Sequence, residues 1–346
     1  MDTRHTPEQA ELGRTARQLA RAFGPRTVAD LDDAKRRQRL AEAVRDAGWL
    51  ELRQDGGQGG PLASGVEAAL LAEALGEALA DVAFTGPILA GDLARRAGAR
   101  PLDGATVAFS PDLIDAARMP GPATRAPIYA IDCAAGPAAA YVLVPQDGGY
   151  RLAHVRVDDP ARGADLTRAI RAIPAGTAVV PVPDQSRLLT RADLDAWATL
   201  GLTLTSADLV GLMRGVLDLT SAYARERRQY GVPIGSFQAV QHLLAEARCL
   251  LEGAQSVTLH PAWAVDQLAP EEARSAARVA KAYCTRAART VCETAVQVHG
   301  GMGNTWDCLV HVYLRRALLS SHWFGDDGEQ LRQLQRTRLG GGHGLS

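Results

Sequence analysis

The sequence is poor in aromatic residues and has no excess of charge of either sign. Aromatic residues make up 5% of its 346 residues, although hydrophobic residues as a whole make up 47%. Ala, Leu, Gly and Arg dominate, which favours packed helices over an all-β fold because Ala and Leu have high helix propensity. The 38 basic and 39 acidic residues nearly cancel, whereas nucleic-acid-binding domains carry a clear basic excess. We therefore expect a small-molecule or protein partner and no nucleic acid.

Signals of metal sites, disulfides and membrane segments are also missing. The cysteines have no Cys-x-x-Cys spacing and are Cys133, Cys249, Cys284, Cys292 and Cys308. Most fall in helical patterns, where a thiol packs as a small apolar side chain, so we expect no metal. The polar N-terminal segment has no apolar signal-peptide core, and no apolar run approaches the roughly 20 residues of a membrane span. These absences predict a cytoplasmic protein that does not enter a membrane.

Hydrophobic patterning divides the chain into three blocks and predicts an α+β fold that is mainly α. Residues 1–100 are expected to form an N-terminal helical domain, whose first helix begins at a capping box of Thr6 and Gln9. Residues 101–188 contain six short β-prone runs separated by Gly, Pro and Asp, which indicates a small, mainly antiparallel β-domain. Residues 189–346 show long helical patterns typical of a four-helix bundle, with Pro261 expected to kink or break one helix.

The segment YARERRQYGVPIGSFQAVQHLLAE, residues 223–246, has the most informative polar pattern. An apolar stripe that reaches Tyr223 predicts a buried helical face whose next turn carries Arg227. We expect an arginine there to be partly desolvated and to need an anionic partner, either an internal carboxylate or a ligand. The alternative is that the helix end frays and leaves the arginine in solvent. Gln229 and Tyr230 follow at once. A forked donor, an amide and an aromatic plane together suit a phosphate and a stackable ring.

A second segment, AVQVHGGMGNTW at residues 295–306, ends a predicted helix with Gly300 and Gly301. The next helix is expected to begin around residues 304–307. Glycines allow close approach of the backbone, and a helix N-terminus offers free N–H groups to an anion. An ordinary glycine C-cap is the alternative, and His299 suits a structural role.

Together these segments resemble the C-terminal domain of the acyl-CoA dehydrogenase family. Residues 223–246 are similar to the family pattern Tyr-Ala-x-x-Arg-x-Gln-Phe-Gly-x-Pro-Ile…Phe-Gln-x-x-x-x-x-Leu-Ala, and residues 297–317 to Gln-x-x-Gly-Gly-x-Gly…Arg-Asp-Ala. The order helical, β, helical also agrees. The resemblance implies an acyl-CoA substrate and an FAD whose ADP half is held across a subunit interface. It assigns the contacts to Arg227, Gln229, Tyr230, Gln238, Gln297, Gly300 and Gly301.

The resemblance fails at the catalytic base. The implied reaction is α,β-desaturation of an acyl-CoA thioester, in which a glutamate removes the α-proton while the β-hydride passes to the flavin. Most members carry this glutamate after the Arg-Asp-Ala segment, where this chain has Phe324. Others carry it early in the helix that leads to the arginine motif, where this chain has Gly201. Asp208 and Asp326 either replace the base or are solvated surface carboxylates.

The β-block departs from the family as well. The Thr-Glu-Pro-x-x-Gly-Ser-Asp run and the Trp-Ile-Thr/Ser strand that line the flavin ring are missing, and AFSPDLIDAARMPGPATRAPIYAI stands in their place. The chain thus resembles the short divergent subunits of bacterial heterotetrameric dehydrogenases, which act on steroid or other bulky CoA thioesters in lipid or steroid metabolism. A partner subunit would then provide the flavin pocket and the base. Phe324 and Trp323 would be remnants of a lost pocket or would pack against the partner.

Two other interpretations stay open. One is a self-sufficient homotetrameric flavoprotein that uses an unusual base such as Asp208. The other is a non-enzymatic scaffold that kept only the fold, against which the retention of Arg227, Gln229 and Gln297 argues.

Overall fold

The N-terminal region is helical, as predicted. A computed structural model of the protein describes residues 5–57, 59–136, 138–157 and 163–340. The first four helices are α1 (Pro7–Phe23), α2 (Ala34–Asp46), α3 (Gly65–Glu77) and α4 (Thr85–Ala97). α1 begins with the predicted capping box, in which the Gln9 backbone N–H donates to Thr6 Oγ1 over 3.2 Å and the Thr6 backbone N–H donates to Gln9 Oε1 over 3.0 Å. This reciprocal pair satisfies two of the free donors at the helix start.

The middle of the chain forms one six-stranded sheet, and each predicted β-run contains one strand. The strands are β1 (Thr106–Phe109), β2 (Ile128–Ile131), β3 (Ala138–Gln146), β4 (Gly149–Val157), β5 (Ile170–Ile173) and β6 (Val180–Pro181). Their order is β5-β2-β1-β3-β4-β6; β1 and β3 are parallel, and the other neighbouring pairs are antiparallel. β3 and β4 form the predicted hairpin, in which Gly148 adopts the positive φ of +87° that such a tight turn requires.

The C-terminal region is a bundle of long helices with one helix more than predicted. They are α5 (Arg191–Glu226), α6 (Gln238–Gln267), α7 (Pro270–His299), α8 (Val310–His322) and α9 (Asp327–Gly340). A two-stranded turn, β7 (Arg228–Gln229) with β8 (Val232–Pro233), connects α5 to α6. The expected break at Pro261 is wrong, because α6 runs through it without interruption. Pro261 and Ala262 are buried there, and the Ala262 carbonyl lies against Gly65 at the start of α3, so packing holds the helix together.

The three regions share one hydrophobic core, which contains Leu71 of α3, Phe109 of β1 and Trp197 of α5. α3 lies unusually close to α5: a Cβ on Gly211 would fall 2.0 Å from the Glu73 carbonyl, and one on Gly215 would fall 2.1 Å from the Glu77 carbonyl. The structure confirms the predicted α+β, mainly α architecture. The division into domains at residues 1–100, 101–188 and 189–346 stays a prediction.

Among the described residues, α5 alone is long and apolar enough to cross a membrane by length and composition. Its most apolar 18-residue window has a mean hydropathy of 1.3, and 94% of that window is buried inside the fold. The sequence predicted a helix here but showed no apolar run of this length, because polar residues such as Thr203, Thr205 and Ser206 interrupt it. These three hydroxyls donate hydrogen bonds to backbone carbonyls of the preceding turn over 2.7–2.9 Å, so they are satisfied within the helix.

Candidate functional site

The arginine-containing motif forms a turn at the end of α5. α5 ends at Glu226, and the Arg227 carbonyl accepts the backbone N–H of Ile234 over 2.8 Å, which closes the turn. Tyr230 and Gly231 at its tip have φ values of +52° and +81°, so both adopt the left-handed conformation of a tight hairpin turn. The backbone thereby projects Tyr230 into solvent, where its side chain is 95% exposed.

The glycine motif follows the end of α7. Gly300 has a φ of +62° and ends the helix, and Gly300–Asn304 then forms a short 3-10 helix. The prediction of a new α-helix at 304–307 is therefore wrong, because α8 begins only at Val310. Gly300 and Gly301 are exposed, and nothing lies within 4 Å of a Cβ built on either one. The open backbone here is a C-terminal turn, not the N-terminus of the following helix.

Tyr223 and His299 bring the two motifs together. Their rings stack with centroids 4.2 Å apart and planes 16° apart, which joins the last turn of α5 to the last turn of α7. His299 Nδ1 also lies 2.9 Å from the Ala295 carbonyl. Burial lowers the pKa of His299, which keeps the ring neutral. The structural role expected for His299 is consistent with this geometry.

The structure corrects the expectation for Arg227. Its side chain is exposed and not desolvated, because the chain leaves the helical path before the buried face could reach it. No described residue makes a hydrogen bond or ion pair with its guanidinium. Gln229, Gln238 and Gln297 are exposed at the same end of the bundle. This surface offers free donors and a solvent-facing ring, which suit the phosphates and base of a dinucleotide.

Gly201 and Phe324, the two positions to which the resemblance assigns the family's glutamate, are in contact. A Cβ built on Gly201 would lie 2.1 Å from Cζ of Phe324 and 2.4 Å from its Cε2, so the phenyl ring occupies the space of a side chain at 201. Phe324 is 3% exposed and has a φ of +67°, a strained conformation for an aromatic residue. The Phe324 backbone N–H donates to the Leu113 carbonyl over 2.9 Å, which fixes this conformation.

Three more aromatic side chains complete a cluster that we call the aromatic plug, formed by Phe109, Trp197, Trp323 and Phe324. The Phe324 ring centroid lies 5.2 Å from that of Phe109, 5.3 Å from that of Trp197 and 5.9 Å from that of Trp323. All four residues are buried. Phe324 and Trp323 therefore pack within their own chain.

The segment that replaces the flavin-lining motifs folds over this plug. The Ala117 N–H donates to the Ala108 carbonyl over 2.8 Å and the Met119 N–H to the Leu143 carbonyl over 2.7 Å, so the segment pairs with β1 and β3. Beside it, a cleft lined by Ala116, Leu143 and Trp197 has a volume of only about 20 Å³. Such a space holds about one water molecule and does not fit the tricyclic ring of a flavin.

Asp208 is locked in a buried ion-pair network. Its Oδ1 lies 2.6 Å from Arg316 Nη2 and 3.0 Å from Arg168 Nη2, and its Oδ2 accepts from Ser320 Oγ over 2.7 Å. Burial alone would raise the pKa of Asp208, but Arg168 and Arg316 outweigh it and lower the pKa to about 2. The expectation of a solvated surface carboxylate is wrong for Asp208. A carboxylate so acidic and so fully engaged is a poor base.

The same network connects the three regions of the chain. Arg316 also donates to the Ala80 carbonyl over 2.8 Å and to Thr167 Oγ1 over 3.3 Å. Asp132 Oδ2 accepts the backbone N–H groups of Phe84 and Gly86 over 3.0 and 2.9 Å. The other candidate, Asp326, is half-buried and accepts the Glu329 backbone N–H over 2.8 Å, so it caps the start of α9.

Comparison with known sequences identifies the family. The family described as acyl-CoA dehydrogenase, C-terminal domain, matches residues 202–339. The acyl-CoA dehydrogenase IpdE2 of Mycolicibacterium smegmatis is 30% identical over 297 residues, which cover 86% of this chain and 85% of IpdE2. The chain belongs to the acyl-CoA dehydrogenase family. The acyl-CoA dehydrogenase FadE34 of Mycobacterium tuberculosis is 33% identical over 210 residues, but the match spans only 29% of FadE34.

Solved structures of the acyl-CoA dehydrogenase fold agree with this chain over nearly its full length. The ChsE4-ChsE5 complex from Mycobacterium tuberculosis contains a chain with a TM-score of 0.75 and 24% identity, with 98% of this chain and 99% of that chain covered. The Tcur3481-Tcur3483 steroid acyl-CoA dehydrogenase G363A variant matches with a TM-score of 0.75 and 22% identity, with 96% and 98% covered. At this level of identity the match establishes the acyl-CoA dehydrogenase fold.

Of the residues that meet in the plug, the sequence analysis named Gly201, Trp323 and Phe324 but missed Phe109 and Trp197. Trp197 lies four residues before Gly201 on the same helix, so helical spacing pointed to it as a neighbour of that position. Phe109 carried no comparable signal, because it reaches the plug from a distant strand. The contacts of Arg227, Gln229, Tyr230, Gln238, Gln297, Gly300 and Gly301 with FAD stay predictions.

Proposed function

We propose that this chain is the catalytically incomplete subunit of a heterotetrameric, FAD-dependent acyl-CoA dehydrogenase. The observation that carries the proposal is the contact between Phe324 and Gly201. Each residue replaces a carboxylate that the family uses as its base, and the two fill one another's space. A site whose two possible base positions are both closed by packing has no room for an α-proton and an acceptor within hydrogen-bond reach.

The proposed contribution of this chain is to hold the ADP half of an FAD whose ring lies in the partner. When bound, FAD supplies the acceptor for the substrate hydride. Arg227 would pair with the phosphates, and Gln229, Tyr230, Gln238 and Gln297 would hydrogen-bond or stack against the remaining groups, with Gly300 and Gly301 allowing close approach. The guanidinium of Arg227, exposed and unpaired with any residue that the structure describes, supports this role. The 20 Å³ cleft beside the aromatic plug supports the placement of the flavin ring elsewhere.

The kind of partner and substrate is inferred from the fold neighbours. One is a chain of the ChsE4-ChsE5 complex and another belongs to a steroid acyl-CoA dehydrogenase named after two proteins. Both neighbours agree with a partner that is a second acyl-CoA dehydrogenase-like subunit and provides the base and the flavin pocket. They also agree with a steroid or similarly bulky acyl-CoA as the substrate. A self-sufficient homotetramer that uses Asp208 is less well supported, because that carboxylate is buried and held by two arginines.

The test is to purify the full chain alone and together with a candidate partner, and to record the visible spectrum and native mass of each sample. We expect colourless protein from the chain alone and a yellow complex from co-expression. Desaturation activity should appear only in the complex. A yellow homotetramer with about one FAD per chain and activity of its own would overturn the proposal.

A further inference from the structure

Tyr223 and His299 lie at the helix ends that carry the two segments assigned to FAD. We call these segments the Arg227 turn, residues 227–234, and the glycine turn, residues 300–304. The Tyr223 carbonyl accepts the backbone N–H of Arg227 over 2.8 Å, where α5 passes into the Arg227 turn. His299 is the last residue of α7, and the glycine turn begins at the next residue. The stack between the two rings therefore connects the two turns at their starting points.

The His299 ring is held in place by two contacts. Its Nδ1 lies 2.9 Å from the Ala295 carbonyl, and since a carbonyl can only accept, Nδ1 carries the proton of the neutral ring and donates it to this bond. The Tyr223 ring lies 4.2 Å away, with the two planes only 16° apart. Ring contacts of this kind favour particular arrangements. A displacement of the end of α5 relative to the end of α7 would break the stack.

The glycine turn folds back onto the same histidine. Gly303 is buried, and a Cβ built on it would lie 3.1 Å from the His299 Cβ and 3.0 Å from the Val296 carbonyl. Gly300 and Gly301, in contrast, are exposed and would meet nothing within 4 Å. The buried side of the turn thus rests on His299, and its exposed side is open to a ligand.

The side chains assigned to FAD have no support of their own. Arg227, Gln229, Gln238 and Gln297 are exposed, and none of these side chains has a hydrogen-bond partner in the part of the chain that the structure describes. Their relative positions therefore depend on the backbone that carries them. A ligand that spans two turns binds more tightly when the turns are already held at the required spacing, because less order has to be imposed on binding.

We propose that Tyr223 and His299 are positioning residues for FAD. The stacked pair holds the Arg227 turn and the glycine turn at the spacing at which the ADP half of one FAD reaches both. Neither ring contacts the nucleotide, and each acts through the turn that follows it. This inference rests on the proposed function, since it concerns the same FAD.

The test is the FAD affinity of the complex, measured by flavin release on dilution, for Tyr223→Leu and Tyr223→Phe. Leucine removes the ring, whereas phenylalanine removes only the hydroxyl group. We expect about tenfold weaker binding for Tyr223→Leu and a change of less than twofold for Tyr223→Phe. Wild-type affinity in Tyr223→Leu would overturn the positioning role. An equal loss in both variants would show that the hydroxyl contacts the nucleotide, which would also overturn it.

His299 allows the same comparison from the other side of the stack, and it serves if Tyr223→Leu does not fold. His299→Leu removes the ring, and His299→Phe keeps a ring but loses the bond to the Ala295 carbonyl. FAD should bind more tightly to His299→Phe than to His299→Leu. Equal affinities in these two variants would show that the ring contact does not contribute.

Combination with Arg227→Ala separates positioning from a general loss of stability. If the stack acts through the Arg227 turn, Tyr223→Leu should weaken FAD binding much less in an Arg227→Ala background than in wild type. Equal effects in both backgrounds would overturn the proposal. Tyr283→Leu is the matched control, because Tyr283 is 36% exposed and lies about 24 Å before His299 along α7. It should leave FAD binding unchanged, and a loss as large as that of Tyr223→Leu would indicate a general effect of ring removal.

The same measurements distinguish this proposal from the proposed function. If Arg227→Ala binds FAD like wild type, the assignment of the phosphate contact fails, and the positioning role fails with it. If Arg227→Ala weakens FAD binding while Tyr223→Leu and His299→Leu bind like wild type, only the positioning role fails.

Discussion

The phenyl ring of Phe324 fills the space beside Gly201, and the resemblance assigns the family's glutamate to these two positions. The two substitutions are complementary, since a larger residue at one position is accommodated by the smallest residue at the other. Buried aromatic side chains contribute both apolar area and specific ring contacts. At the scale of the residue, the phenyl ring of Phe324 adds packing to the core.

This contact predicts a non-additive pair of substitutions. Gly201→Ala should destabilise the fold by about 1–3 kcal/mol, the usual range for overpacking a core, because its Cβ would meet the Phe324 ring at 2.1 Å. In a Phe324→Ala background, Gly201→Ala should lower the free energy of unfolding much less. A double-mutant cycle of urea unfolding measures the coupling.

Gly13→Ala in α1 is the control: its Cβ meets only contacts of 3.6 Å or longer, so it should stabilise the helix. Equal costs for Gly201→Ala in both backgrounds would contradict the contact.

Asp208 gives a second prediction at the residue scale. Asp208→Asn leaves two buried arginines short of a counter-charge and should cost about 3–5 kcal/mol of the free energy of unfolding. The pKa of Asp208 is lower in the folded chain than its ordinary value of 3.8. Its contribution to stability is therefore present above pH 4 and is lost as the pH falls towards about 2.

Urea unfolding of wild type and Asp208→Asn between pH 7 and pH 2.5 measures this difference, which should shrink as the pH falls. Asp218→Asn, an exposed change on the same helix, should alter stability by less than about 0.5 kcal/mol. Turnover of the complex per folded chain should survive Asp208→Asn. A loss of several orders of magnitude in folded protein would identify Asp208 as a base instead.

The sequence singled out Phe324, Gly201 and Asp208, but it did not predict what their side chains contact. The family resemblance located Phe324 and Gly201, yet no local pattern reports a contact between positions so far apart in the chain. Asp208 was misjudged because residues 199–213 of α5 are buried on all sides, and such a stretch has no polar face that would show which residues meet solvent. Arg227 was misjudged because its stripe was extended past Glu226, where the helical periodicity no longer applies.

At the scale of elements, the close approach of α3 and α5 fixes the centre of the fold. Gly76, Gly211 and Gly215 allow the two backbones to meet, and a Cβ on Gly76 would fall 2.6 Å from the Asp208 carbonyl. The helices and strands themselves were predictable from periodicity and turn residues, because each signal is local. Their packing distance was not, since it depends on which glycines face each other.

This approach predicts that Gly211→Ala pushes the two helices apart. We expect a loss of about 1–3 kcal/mol in the free energy of unfolding, although alanine has the higher helix propensity. Thermal and urea unfolding measure the loss against Gly13→Ala, which is also helical but has room for a methyl group. A Gly211→Ala variant as stable as wild type would show that the helices are not held at this distance.

At the scale of the whole molecule, the exposed surface around Arg227 is expected not to contribute to the stability of the isolated chain. Arg227→Ala should leave the unfolding midpoint of the isolated chain unchanged, because the side chain is exposed and pairs with no described residue. In the complex it should weaken FAD binding by about 1.5–3 kcal/mol, the range for a hydrogen bond to a charged group.

Flavin release during dilution of the complex, followed by fluorescence, measures this loss. Arg225→Ala removes the same charge two residues earlier, from the exposed last turn of α5, and should retain FAD like wild type. Unchanged FAD affinity in Arg227→Ala would refute the assignment of the phosphate contact. Equal weakening by both variants would indicate a general effect of charge.

The aromatic plug has a consequence for the history of the protein. A glutamate returned to position 324 would enter a space bounded by Trp197, Phe109 and Trp323, without water and without a substrate, and would be buried as an unpaired charge. One returned to position 201 would collide with Phe324. Under the proposed function, a base at either position would require further changes in the plug at the same time. If the chain depends on a partner as proposed, selection for stability alone would keep the plug in place and make that dependence hard to reverse.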